Sequence, residues 1–334
     1  MKLVKGTALA VGLLAAAASF VPQATAAESV SVRLKWVTQA QFAGIYVAKA
    51  KGFYEAAGLD VTINPGGPNL NPETLVASGA DTFGIAGGTE TMIFAAEKGL
   101  PIVAIGMSQE KTPFVFASFG DSGIKTIKDF AGKKVATFFE GAQYTLYTVL
   151  QHQGVEQSAL QIIPQPFSLQ PFIDKQFDVA TLTTYNELLA LREQGITDLN
   201  LFSPDDYGVT TQQDSIITSA AVIKDKPQVV QAFLDATLKG WKYALKNKSE
   251  AIDIVMAAGT GLDRKHQELM LDEIEKVMVA NAGATMGLAA LDMAAIGSVH
   301  DRLVSYKALK APVDLKTVFD PSFWDKVPDE DKKM

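Results

Sequence analysis

The chain has 334 residues, a formal net charge of -7, 48% hydrophobic residues and no cysteine. That length exceeds what one core usually fills, so two domains are expected, and the acidic balance argues against a nucleic-acid footprint or a surface for anionic membranes. Without cysteine there are no disulfides, thiolate metal sites, cysteine nucleophile or lipidated cysteine anchor.

Residues 1–26 read as a secretory signal. Lys2 and Lys5 make a basic start, "ALAVGLLAAAASF" is an apolar run of thirteen residues, and "ATA" at Ala24 to Ala26 supplies the small residues that a signal peptidase requires. The run is shorter than the roughly 20 residues that span a bilayer. The expectation is a mature chain beginning near Ala27, released as a monomer into the periplasm.

From Val30 to Trp36 the residues alternate, with Val30, Val32, Leu34 and Trp36 on one face and Ser31, Arg33 and Lys35 on the other, the period of a strand. Gln39 and Gln41 then lead into a helical run with Phe42, Ile45 and Tyr46 at i, i+3 and i+4, stopped by Lys49, Lys51 and Gly52. Strands follow at Leu59 to Ile63, Thr82 to Ala86 and Ile102 to Met107, with helices at Glu73 to Ser78 and Glu90 to Lys98. A second series has strands over "PFVFASF", "KKVATFF", "LQIIPQPF" and "DVATLTTY" and helices over "YTLYTVLQHQG" and "NELLALREQG". After "SIITSAAVI" the pattern turns to helices at Pro227 to Lys246, Ala251 to Ala257 and Arg264 to Ala280. Strands alternating with helices imply βαβ units and parallel pairing. The chain is therefore expected to be α/β with two lobes, residues 27–112 plus 215–334 and residues 113–214, crossing near Thr112 and returning near Asp214.

In parallel sheets ligands bind beyond the carboxyl ends of the strands, where Trp36, Gln39 and Gln41 fall. The other junctions add Gly88, Thr89 and Glu90 in "GGTET", Glu140 and Tyr144 in "FEGAQYT", Tyr185, Asn186 and Glu187 in "TTYNE", and Asp206 in "PDDYGVTTQQD". Singly, each has an ordinary structural role: Trp36 as a core residue capping the sheet, Thr89 as a helix cap, Glu90, Glu140 and Asp206 as first-turn acids, Tyr144 and Tyr185 as surface aromatics. Collectively they offer rings, amides, hydroxyls and carboxylates, with Lys111 the only cation. Tyr185, Asn186 and Glu187 form the sharpest group, because a stacking ring, an amide and a carboxylate acceptor fall within three positions.

Catalytic patterns are nearly absent. No GxSxG, HExxH, Walker loop or GxGxxG occurs, so neither cofactor nor metal is expected. His152, His266 and His300 fall in helical patterns away from every junction. "GDSG" at Gly120 to Gly123 has no His before it in the chain and reads as a turn.

The stretch "RLKWVTQAQFAGIYVAKAKGFYEAAGLDVTI", with "PGG", "VASGADTFGIAGGTE", "KGLPIVAIG", "TTYNE" and "DYG", resembles the ABC-transporter solute-binding proteins for nitrate, sulfonates, taurine and thiamine-precursor pyrimidines. Within that family the likeness is greatest to the binders of the thiamine pyrimidine and related heterocycles. It implies a two-lobed periplasmic-binding-protein fold of type II with two interlobe crossovers, a small-molecule solute held between the lobes, and delivery to an ABC permease in the inner membrane. Transferred residue by residue, the aromatic clamp falls on Trp36 and Tyr185 and the acidic group on Glu187. Fungal relatives that synthesise the pyrimidine use a cysteine-rich motif, which this chain lacks, so binding without turnover is expected.

Charge bears on the solute. A sulfonate or nitrate site draws on helix N-termini and often a cation, whereas these loops carry Glu90, Glu140, Glu187, Asp205 and Asp206. A neutral or weakly cationic heterocycle is favoured. A binder of an alkanesulfonate, taurine or nitrate through amides alone stays open, as does an exported enzyme using Glu140 or Glu187 as base on a heterocycle.

Overall fold

The computed structural model describes residues 27–68, 70–139 and 141–334; the expected signal at 1–26 and Glu140 lie outside the described residues. In chain order the strands are β1 (Glu28–Arg33), β2 (Leu59–Asn64), β3 (Phe83–Ile85), β4 (Ile102–Gln109), β5 (Phe114–Phe119), β6 (Lys134–Thr137) and β7 (Gln161–Pro164). Then come β8 (Val179–Thr183), β9 (Leu199–Phe202) and β10 (Gln213–Ser219). They form two five-stranded sheets, ordered β2-β1-β3-β10-β4 and β7-β6-β8-β5-β9.

Neither sheet is wholly parallel, which corrects the expectation from the βαβ pattern. β10 runs antiparallel to both β3 and β4, and β5 antiparallel to both β8 and β9. The cause is the crossing: β10 re-enters the first sheet from the second, opposite in direction to the strand that left. Gln109, the last residue of β4, pairs in register with Gln213, the first of β10. The two crossings therefore run side by side, and the Thr112 backbone N–H donates to the Thr210 hydroxyl at 3.3 Å.

Val32 and Leu34 are fully buried, as the alternation requires, and the strand ends at Arg33, sooner than the pattern suggested. The next helix, Ala43–Ala50, packs on the long Pro227–Lys246 helix at a close approach that only glycine permits. A Cβ on Gly240 would lie 2.1 Å from the Gly44 carbonyl, and one on Gly44 would meet the Trp241 ring at 2.3 Å. This contact fixes the turn at Ala40–Phe42, whose Ala40 N–H donates to Gln267 Oε1 at 2.7 Å. Gln39 and Gln41 are thereby set on a rigid base. Among the described residues no helix is long and apolar enough to cross a membrane.

Candidate functional site

A cleft opens where the carboxyl ends of β1 and β8 face each other. Lys35, Trp36, Gln39 and Gln41 line it from the first sheet, and Phe114, Phe138, Thr183, Tyr185, Asn186 and Glu187 from the second. Four aromatic rings, Trp36, Phe114, Phe138 and Tyr185, stand among its polar lining residues. Phe138 meets the Trp36 ring edge-on at 5.9 Å between centroids, and Phe167 stacks on Trp36 at 5.7 Å with 26° between planes. Phe167 is 65% exposed and therefore stands at the mouth, while Tyr185 is 2% exposed and lies in the floor.

The floor is built on Asp214. Gln41 Nε2 and Gln109 Nε2 both donate to its Oδ2, at 2.8 and 2.9 Å, and Lys35 forms an ion pair with its Oδ1. Gln39 Nε2 donates to Gln41 Oε1 at 2.8 Å and extends the chain of amides to the cleft surface. Asp214 has a φ of 55°, in the left-handed region where Asp and Asn are the best tolerated residues after Gly. Burial holds the Tyr185 hydroxyl well above its ordinary range, and the Asp214 and Glu187 carboxylates add to the effect. It therefore stays protonated, close to the amides of Gln109 and Gln41.

Glu187 is held differently. Its Oε2 accepts from the Thr183 backbone N–H at 2.9 Å and the Thr183 hydroxyl at 2.5 Å, and its Oε1 accepts from Asn186 Nδ2 at 2.8 Å. An ionised carboxylate offers about four acceptor sites, so one remains on Oε1. Asn186 Oδ1 faces His266 Nε2 at 3.0 Å, and His266 Nδ1 lies 2.7 Å from Glu193 Oε2. His266 thus reaches a junction from which its place in the sequence had separated it.

The remaining candidates lie away from the cleft lining. A Cβ on Gly88 would sit 2.3 Å from the Gln213 side chain, so this glycine serves close packing. Thr89 donates to the Gln212 carbonyl through its backbone N–H at 3.0 Å and its hydroxyl at 3.3 Å. Glu90 is buried beside Thr211, its carboxyl pushed up by that burial. These three tie the Thr89–Glu97 helix to the returning crossover. Tyr144 stacks on Phe94 at 4.3 Å, a contact between the two halves, and Asp206 is exposed on the Pro204–Tyr207 turn.

The profile of the NMT1/THI5-like family matches residues 39–251. The chain belongs to that family. Riboflavin-binding protein RibY of Chloroflexus aurantiacus is 26% identical over 306 residues, covering 89% of this chain and 86% of the relative. The formylaminopyrimidine-binding protein of Halalkalibacterium halodurans is 28% identical over 239 residues, covering 69% of this chain and 71% of its own. Among solved structures, the alkanesulfonate-binding protein SsuA of Xanthomonas axonopodis pv. citri superposes with a TM-score of 0.67 at 15% identity, over 89% of this chain and 99% of that one. The likeness shows the fold, a two-lobed α/β periplasmic-binding-protein architecture.

In this NMT1/THI5-like chain several cleft residues lie outside the candidate set drawn from the sequence. Phe138 falls inside a predicted strand and Phe167 at the junction that closes another, whereas β6 ends at Thr137 and β7 at Pro164, which frees both rings. Lys35 lies at the cleft because β1 stops before it. Gln109 carried a usable signal, a polar residue closing the apolar β4 run.

Proposed function

We infer that this chain is the solute-binding component of an ABC importer, acting outside the cytoplasm and taking a flat nitrogen heterocycle, such as a thiamine-precursor pyrimidine, between lobes 27–112 plus 215–334 and 113–214. The observation that carries the reading is the pairing of charges in the cleft. Its one lining cation, Lys35, is matched by Asp214, while Glu187 has only neutral donors and an acceptor site left over. A slot of aromatic side chains with an unspent carboxylate at its edge suits a ring bearing an amino or ring N–H donor, since hydrogen bonds to a charged group contribute about 1.5 to 3 kcal/mol. An anion placed there would meet Glu187 without a free cation to offset it. The pyrimidine- and riboflavin-binding relatives support the same class of ligand. Binding without turnover fits a site whose polar groups are held by neighbours.

Calorimetric titration with 4-amino-5-hydroxymethyl-2-methylpyrimidine, riboflavin and an alkanesulfonate tests the reading. Binding of either heterocycle with no sulfonate affinity is expected. Sulfonate binding alone would sink it.

A further inference from the structure

His266 belongs to the Arg264–Met278 helix, which packs in the first lobe, yet its ring nitrogens reach the second, at Glu193 in the last position of the Glu187–Glu193 helix and at Asn186, which caps its start. Nδ1 faces the Glu193 carboxylate, which only accepts. The orientation of Asn186 is set by its own Nδ2, which donates to Glu187 Oε1, so its carbonyl oxygen is what meets His266 Nε2. Turning that amide over would set its oxygen against the Glu187 carboxylate. A ring placed between two acceptors needs a proton on each nitrogen, the imidazolium form; a neutral ring satisfies one partner and opposes a lone pair to the other.

We propose that His266 is a positioning residue that presents Asn186 to the ligand and makes closure of the lobes take up a proton, an inference that rests on the cleft proposed above. The two acceptors surround the ring only when the lobes are together. Closure is therefore favoured by a ring that carries a proton on both nitrogens, and is expected to weaken as pH rises and one of its two bonds is lost.

The charged surroundings are consistent with this. Glu193 and, through Asn186, Glu187 face the ring from the second lobe. On its own helix Asp263 accepts from the His266 backbone N–H at 2.8 Å, and Arg264 is engaged by Glu268 at 3.2 Å and by Asp253 of the Lys248–Ala258 helix. Lys265 and Arg192 are exposed. The Ala40–Phe42 turn and β4, which also pack on this helix, contribute no charged side chain.

The test uses the mature, unliganded protein. Nitrogen NMR should show His266 protonated on both nitrogens in compact protein near pH 6, and small-angle scattering should give a smaller radius of gyration at about pH 5.5 than at about pH 8.5. The closed-to-open ratio should change about tenfold across that range, as expected for a hydrogen bond to a charged group. His266→Gln, which offers donors without a charge, should flatten the dependence, as should Glu193→Gln; His266→Lys should restore compactness at both pH values. A neutral ring in compact protein, or the same pH profile in wild type and His266→Gln, overturns the proposal. No ligand enters these measurements, so a failure of the heterocycles to bind would defeat the functional reading and leave this result to be judged alone.

Discussion

Asp214 and Glu187 are two carboxylates on either side of Tyr185, one in the floor of the cleft and one in its wall, and they are neutralised by different means. Asp214 has a lysine and two amides, all in or just after strands of its own sheet, and is buried to 1% exposure. Glu187 has a backbone N–H, a hydroxyl and an amide, all within four residues of itself, and no cation. A buried carboxylate matched by a cation is committed to the fold, because removing either partner strands the other. One held by local neutral donors keeps its charge available to whatever enters.

The largest effect expected from that contrast is on stability. Asp214→Asn keeps a residue that tolerates the left-handed backbone but leaves Lys35 uncompensated, and should cost about 3 to 5 kcal/mol in urea unfolding. Adding Lys35→Met should recover part of the loss. A cost below about 1 kcal/mol would remove the distinction between the two groups.

Next comes Glu187→Gln, which should weaken binding of 4-amino-5-hydroxymethyl-2-methylpyrimidine by about 1.5 to 3 kcal/mol, roughly ten- to a hundredfold by calorimetry. Its unfolding free energy should fall by less than that of Asp214→Asn. Equal effects on stability would break the comparison.

Glu110 sharpens it as a third case, a carboxyl without a cation at the outward crossing. Gln212 Nε2 donates to its Oε2 at 2.5 Å, and burial pushes the group up to about 9. Because the folded value is raised above the ordinary 4.5, the unfolded chain gives up its proton first. The stabilising contribution is full below that ordinary value and is lost as pH rises towards about 9. Glu110→Gln keeps an acceptor for Gln212 and should flatten the stability profile between about pH 5.5 and 8.5, by up to roughly 4 kcal/mol at about 1.4 kcal/mol per pH unit. An unchanged profile would mean that Glu110 is charged in the folded protein.

The smallest effect belongs to the rim. Phe167→Ala should leave stability unchanged, since the ring is largely exposed, and weaken ligand binding by about 0.5 to 1.5 kcal/mol through loss of the stack on Trp36. A loss in stability above that range would place Phe167 in the core.

Much of the fold was legible because local patterns carried it. The 20-residue Pro227–Lys246 helix was bounded by a proline at its start and a strong apolar face, and β1, β2 and β4 by alternation or continuous burial. β9 was not read: its four residues form an edge strand paired only with β5, with one buried position and no period to detect. The Met293–Ser305 helix also escaped, its Asp292 cap being preceded by the apolar "GLAAL" that blurs the boundary. Strand direction was misjudged because it depends on where the chain returns, which no local pattern encodes. At the cleft, Trp36, Gln39, Gln41, Tyr185, Asn186 and Glu187 were selected by position at strand ends. Gly88, Thr89, Glu90, Tyr144 and Asp206 satisfied the same rule, and packing against the crossover, stacking on Phe94 or exposure to solvent took them elsewhere.

The position of β10 between β3 and β4 also sets an order of events during folding. The second sheet is built from residues 114–202 alone, a continuous stretch whose pairings can all form once that length of chain is present. β4 pairs with no strand other than β10, its far edge carrying a single bridge from Ala104 to Phe319, so it stays outside the first sheet until residues 213–219 arrive from the far side of that completed unit. Long-range pairings of this kind form slowly. Pulse-labelled hydrogen exchange should accordingly protect β5, β6 and β8 before β4, and the apolar β4, buried along its whole length in the finished protein, is the segment left waiting for a partner in the intermediate.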